Sequence, residues 1–184
     1  MKYIYFDAAS GASGDMILGA LLDLGVPHQF FIDAVDKMDL PVEIRIHETK
    51  RSSIRGLKVD VDVKRKDKLS RHWSDIEDLI SKTPFKSSVK DRALSIFERL
   101  FQAESKVHGH EFHKTHLHEA GADDAIVDIL GASLLMEELK IGEFFCSPLN
   151  VGTGWVKTSH GRLPVPPPCR GRTPQGDPGV FRLG

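Results

Sequence analysis

The stretch VHGHEFHKTHLHEAGADDAIVD, Val107 to Asp128, holds five of the nine histidines: His108, His110, His113, His116 and His118. Glu111, Glu119, Asp123, Asp124 and Asp128 lie among them. Nitrogen and oxygen donors at this density suit a divalent metal. No thiol lies in the stretch, which argues against a closed thiolate site of the structural zinc type. Imidazole with carboxylate suits zinc, nickel, iron or manganese, and spacing alone does not choose among them. His116, His118, Glu119, Asp124 and Asp128 are the candidate ligands, because they fall together. His108, His110 and His113 are either an auxiliary metal-collecting cluster or a solvated turn.

The elements around these residues must position them. His116 and His118 point the same way only in a strand, whereas His116 and Glu119 share a face only in a helix. The apolar spacing Ile126, Ile129, Leu130, Leu134 predicts a helix from near Ala122 to about Lys140, with Asp123 as its N-cap. Asp124 and Asp128, four apart, then share a face of its first turns, where the helix dipole favours negative charge. At the start of the chain, Lys2–Phe6 reads as a buried strand ending on Asp7. Ser13 then caps a helix from Gly14 to about Leu24, stopped by Gly25. Asp7 thus sits at the carboxyl end of a strand beside a helix start, where open α/β sheets bind ligands. Asp15 lies in the first turn of that helix. The run SGASGD is neither a P-loop nor a dinucleotide fingerprint, and a tight turn explains its glycines equally well.

A second helix is expected over about His28 to Met38. Strands follow at Glu43–Glu48 and Gly56–Val63, the latter from the alternation of Val59, Val61 and Val63 with Asp60 and Asp62. The basic run Lys64–Arg71 reads as a solvated linker. Ser74 opens a capping box with Asp75 and Glu77 and a helix to about Ser81. A longer helix spans about Ser87 to His108, and Phe144–Cys146 reads as a buried strand. The glycine-punctuated run Ser147–Pro168 either places His160 and Arg162 at a ligand or serves as a rigid connector.

The expected fold is α+β: a βα-ββ region over residues 1–63, a linker over 64–73, a helix-rich metal-binding region over 74–168, and a disordered tail over 169–184. At 184 residues the chain can bury a real core. A net charge of −1 gives no general attraction to nucleic acid or an anionic membrane. Two cysteines without a CxxC pattern fit a reducing cytoplasm. The N-terminus lacks a signal-peptide h-region, and no apolar run is long enough to span a bilayer.

Three motifs, DAASGASGDMILGALLDLG, HLHEAGADDAIVDILG and SPLNVGTGWVKTSHGRLPVP, together resemble the LarC family. These are the nickel-insertion proteins of nickel-pincer cofactor biosynthesis, and the resemblance covers roughly residues 1–168 in the same order. It implies insertion of Ni²⁺ into pyridinium-3,5-bisthiocarboxylic acid mononucleotide, for lactate racemase and its relatives. It also implies a requirement for CTP, which is hydrolysed, with Mg²⁺ or Mn²⁺. Such a protein must hold nickel by imidazole and carboxylate, then surrender it to softer sulfur. Asp7 and Asp15 match the first motif and are expected to bind metal or nucleotide. Lys157, His160 and Arg162 match the third and are expected to meet phosphate. Many family members carry a histidine-rich tract ahead of the SDIE helix; here that place holds KRKDKLSRHW, with only His72. A homo-oligomer is expected, with a C-terminal domain or full-length product of the same gene as a further partner. Two rivals stand beside this reading. One is a metallohydrolase activating water on the same His/Asp cluster. The other is a nickel chaperone without turnover, acting with a longer partner.

After Pro168 the resemblance stops, and CRGRTPQGDPGVFRLG has no helical or strand periodicity. Written in degenerate codons and read one nucleotide later, Cys169–Phe181 can spell the family's expected continuation. The run Pro166–Pro168, encoded by CCN codons, is a natural slippery site. The chain therefore reads as the unshifted product of a frame-switching gene or as a truncated gene model, with Cys169 no ligand. Sequencing the gene across Pro166–Arg170 should reveal an alternative frame open past the stop. Absence of such a frame overturns the idea.

Overall fold

The computed structural model describes residues 2–64, 70–117, 119–158, 161–165 and 180–181. The fold is α+β. Strand β1 (Lys2–Phe6) leads to α1 (Gly14–Asp23) and α2 (His28–Asp36), then to β2 (Val42–Arg51) and β3 (Ile54–Val63). The short strand β4 (Arg71–His72) precedes α3 (Trp73–Lys82) and α4 (Ser87–His108). Strand β5 (His116–Leu117) lies between two 3-10 turns, Phe112–Lys114 and Glu119–Gly121, and α5 (Asp123–Glu138) follows. The remaining strands are β6 (Ile141–Cys146), β7 (Gly154–Thr158), β8 (Gly161–Val165) and β9 (Val180–Phe181).

Helix α5 is the axis of the core. Ile126, Val127, Leu130, Leu134 and Leu135 are all buried, so apolar residues occur around its circumference rather than along one stripe. Such a helix must be enclosed, and it packs against α1, α2, α4, β3 and β6. One hydrophobic cluster results. It draws Leu18, Leu21 and Phe31 from before residue 64 and Ile76, Phe97 and Phe101 from after it. Strand β1 pairs in parallel with β6, so Phe6 lies beside Cys146 and the two carboxyl ends coincide. The alternation of β1 turns Ile4 and Phe6 to the core and leaves Tyr3 and Tyr5 exposed. The β2–β3 hairpin is longer than its predicted strands. Ser52 and Ser53, both at positive φ, form its turn.

Four local expectations need correction. Ser13 occupies the N-cap of α1, but its hydroxyl donates to the Asp15 carboxylate and makes no cap bond. The N-cap of α5 is Ala122, not Asp123. Asp123 is the first helical residue and is buried, because the Arg71 guanidinium pairs with it at 2.5 Å. Arg71, expected as a solvated charge, also donates to the Gly121 carbonyl and is only 6% exposed. Helix α3 starts at Trp73, one residue before Ser74, and its first turn is closed by His72 N–H donating to Asp75 at 2.7 Å. The expected tail, 169–184, lies outside the described residues except for Val180–Phe181, which pair antiparallel with β6. Among the described residues, no helix is long and apolar enough to cross a membrane.

Helix α1 is clamped at Gly19, where a Cβ would collide with the Leu57 carbonyl of β3. Gly19→Ala should therefore lower stability by about 1–3 kcal/mol, the range for overpacking a close backbone contact. Equilibrium urea unfolding of the two chains measures this.

Candidate functional site

The loop between β1 and α1, residues 7–13, is where the structure gathers the first and third sequence motifs. Beyond the paired ends of β1 and β6, Ser147 N–H donates to the Phe6 carbonyl at 2.9 Å. The Ala8 N–H donates back to Ser147 Oγ at 2.8 Å. Asn150 N–H reaches the Ala8 carbonyl at 3.4 Å, and Gly11, at φ +89°, passes close to the Asn150 carbonyl. A side chain there would be strained by φ alone. Asp7 stands at this junction, accepting a hydrogen bond from Ala9 N–H at 3.3 Å. Burial pushes the nearby Cys146 thiol above its ordinary value, and the Asp7 carboxylate adds to the rise.

The middle motif meets the first at the N-terminus of α1. Gly14 opens that helix, and the Asp128 carboxylate of α5 fills the space a Cβ would occupy. Asp128 Oδ1 is buried and accepts no hydrogen bond among the described residues. Burial pushes the Asp128 carboxyl up to about 6, and the Asp124 and Asp15 carboxylates push in the same direction. Asp124 is exposed and accepts from Ala125 N–H at 2.8 Å. An unpartnered carboxylate oxygen beside two further carboxylates is a site of uncompensated negative charge. A proton or a cation relieves it.

The other candidate ligands are placed differently. His116 lies on β5 opposite His72 of β4, with ring centroids 5.7 Å apart. His118 and the Glu119 side chain lie outside what the structure describes. Among the described residues, no three His, Cys, Asp or Glu side chains converge as a metal-holding group. His116 therefore does not close such a group with Asp124 and Asp128, nor do Asp7 and Asp15 complete one. The structure joins Asp15, Asp124 and Asp128 electrostatically and leaves His116 in a separate ladder. His108 sits at the end of α4 within 3.2 Å of Glu104, and its ring stacks on His110 with centroids 6.1 Å apart.

The third-motif residues lie on the β7–β8 hairpin. Lys157 stands opposite Arg162, and both are exposed. His160 lies outside the described residues. Sequence reasoning missed Arg71, which fixes the segment ahead of α5, and Gly14, which admits Asp128. The signal for Arg71 was hidden in a basic run. That for Gly14 was present, but a turn accounted for it.

The family described as nickel insertion protein matches residues 4–171 of this chain. A protein of Geobacter sulfurreducens named for nickel insertion is 41% identical over 97% of the chain and 46% of its own length. A similarly named protein of Geotalea uraniireducens is 39% identical over the same shares. The pyridinium-3,5-bisthiocarboxylic acid mononucleotide nickel insertion protein of Desulfitobacterium hafniense is 43% identical over 92% of the chain and 42% of its own length. The chain thus spans less than half the length of these relatives. The family match ends near Pro168, where the motifs stop, whereas the Geotalea and Geobacter alignments run on into the tail. No solved structure matches.

The Asp128 shift has a definite sign. Its carboxyl binds a proton more tightly folded than unfolded, since about 6 exceeds the ordinary 3.8. Stability from this group is therefore present below about pH 4 and is lost as pH rises through 6. After discounting for partial exposure, the ionised form costs about 1 kcal/mol. Asp128→Asn should melt about 2–4 °C above the parent chain at pH 7.5 in metal-free buffer, with the gap closing by pH 4. Thermal scans across that range check it.

Proposed function

Because the chain belongs to the nickel insertion protein family, we propose that it collects Ni²⁺ as cargo and passes it to a thiocarboxylate-bearing pyridinium mononucleotide. The acceptor comes from the name of the Desulfitobacterium relative. The observation that carries the reading is the Asp128 carboxylate at the start of α1, whose Oδ1 has no hydrogen-bond partner among the described residues, beside Asp15 and Asp124. Oxygen donors hold a borderline cation by charge, and sulfur donors take it because the softer ligand binds this ion better.

In this reading Asp128, Asp124 and Asp15 supply the first hold on nickel. His116 and His118, with Glu119, supply imidazole and carboxylate from the segment leading into α5. Asp7 stands at the mouth of the β1–β6 junction. The full activity belongs to the longer form. There CTP with Mg²⁺ or Mn²⁺ drives insertion, the product serves lactate racemase-type enzymes, and the chemistry is that of a nickel chelatase of the lyase class. The protein is proposed to act in the cytoplasm as a homo-oligomer. Its domains are proposed as 1–63 and 74–168, joined through 64–73.

Calorimetric titration with Ni²⁺ at pH 7.5 tests the site. Asp128→Asn should weaken binding at least about tenfold, the scale of losing a supporting ligand, and so should the double variant His116→Ala/His118→Ala. Affinity in the parent chain should fall as pH drops through 6, because the proton competes for Asp128. Unchanged nickel affinity in both variants overturns the assignment. Hydrolysis of phosphate esters by the isolated chain without preference for nickel would favour the hydrolase instead.

A further inference from the structure

The β7–β8 hairpin carries side chains that neither the core nor the carboxylate cluster uses. Trp155 and Lys157 are two apart on β7, so they share one face of the hairpin. Arg162 stands directly opposite Lys157 on β8 and therefore joins that face. The Arg162 guanidinium lies over the Trp155 ring, 5.1 Å from its centroid. Trp155 is nevertheless 63% exposed. Together with Val156 and Gly161, these three side chains line an open groove of about 430 Å³.

Two features make this groove unusual for a plain hairpin. Like charges directly opposite on a ladder repel, yet neither Lys157 nor Arg162 has an acidic partner among the described residues. A large aromatic ring is left in solvent beside them, where it contributes nothing to the core. Both costs vanish if a planar ring stacks on Trp155 while an anion bridges the two cations. Arg grips phosphate through its fork, and Lys adds a point charge. An electron-poor, cationic ring gains further from the negative face of an indole.

We propose that this face of the hairpin seats a pyridinium mononucleotide, its ring on Trp155 and its phosphate between Lys157 and Arg162. The inference rests on the proposed function, since it names where that reaction's acceptor docks. It extends the phosphate role expected for Lys157 and Arg162 by supplying the ring platform and the ligand class.

Nicotinamide mononucleotide is a suitable probe, because it combines a pyridinium ring with one phosphate and carries no sulfur or metal. The intrinsic fluorescence of the full chain reports it. Trp73 is partly buried against Phe101 and Phe112, with centroids 5.6 and 5.4 Å away, so the more accessible emitter is Trp155. Saturable quenching by the mononucleotide is expected, weakened about tenfold or more when nicotinamide riboside, which lacks the phosphate, replaces it. Calorimetry should show a similar loss for Trp155→Ala, in line with the worth of one stacked ring, and for Lys157→Gln/Arg162→Gln. Cytidine monophosphate should bind more weakly than the pyridinium probe. Linear, unsaturable quenching of equal slope by mononucleotide and riboside overturns the proposal without requiring any variant. So does preference for the cytidine nucleotide. Nickel plays no part in these titrations. Failed quenching with intact nickel binding removes only the docking face, and the reverse result removes only the cation site.

Discussion

The candidate site depends on one missing methyl group. Helix α5 runs through the core and can bring its second turn against the start of α1 only because residue 14 is glycine. The same helix, α1, is pressed from the other side at Gly19 by the Leu57 carbonyl. Further along α5, Gly131 admits the Phe31 ring. These close approaches hold α1 between β3 and α5 with little room to shift. The consequence is electrostatic. Asp128 is fixed where water does not reach its Oδ1 and where, among the described residues, no donor answers it. It cannot swing away to a better partner without opening the contact that places it.

A carboxylate so placed has two ways to reduce its cost: take a proton or take a cation. The proton is available only in mild acid, since the carboxyl is pushed up to about 6. At neutral pH the charge remains, and the neighbouring Asp15 and Asp124 make it worse. A buried acid earlier on the same helix has a different solution. Asp123 meets Arg71 at 2.5 Å, and both are nearly inaccessible. Two positions in the first turns of one helix thus show a paired acid that builds structure and an acid that, among the described residues, has an unpartnered oxygen. Removing either partner of the first leaves a buried charge, which is strongly destabilising. Removing the second relieves one.

This contrast also explains what the sequence could disclose. Helices α1, α2, α4 and α5 were legible because their apolar residues recur at helical spacing, and β3 because valine and aspartate alternate. Asp124 and Asp128 were legible as a pair by their spacing of four. The role of Asp123 was not, because its partner lies 52 positions earlier in a basic run that reads as solvated charge. The parallel pairing of β1 with β6 joins segments far apart in the sequence, and no local pattern announces it. Gly14 was visible as a glycine, but a tight turn was a sufficient reason for it. Only the approach of α5 supplies the stronger reason. The histidines divide differently: His116 lies on a strand opposite His72, and His118 lies outside the described residues.

The three motifs nevertheless converge on the first loop, and this convergence has a mechanical meaning. On one side the loop receives Asp128 against Gly14. On the other it is tied by backbone and hydroxyl hydrogen bonds to Ser147 and Asn150. From Asn150 the chain needs only three residues, including Gly152 at φ +73°, to enter the β7–β8 hairpin. In the proposed reading, a cation at α1 and a ring phosphate on the hairpin would both be attached to the same short, hydrogen-bonded connection. A carrier that must hand a metal to sulfur needs its two cargoes held by different chemistries, so that gripping one does not block release of the other. As proposed, carboxylates for the metal, with an indole and two cations for the nucleotide, would meet that requirement. Neither set competes for the other's ligand, because each repels what its neighbour attracts.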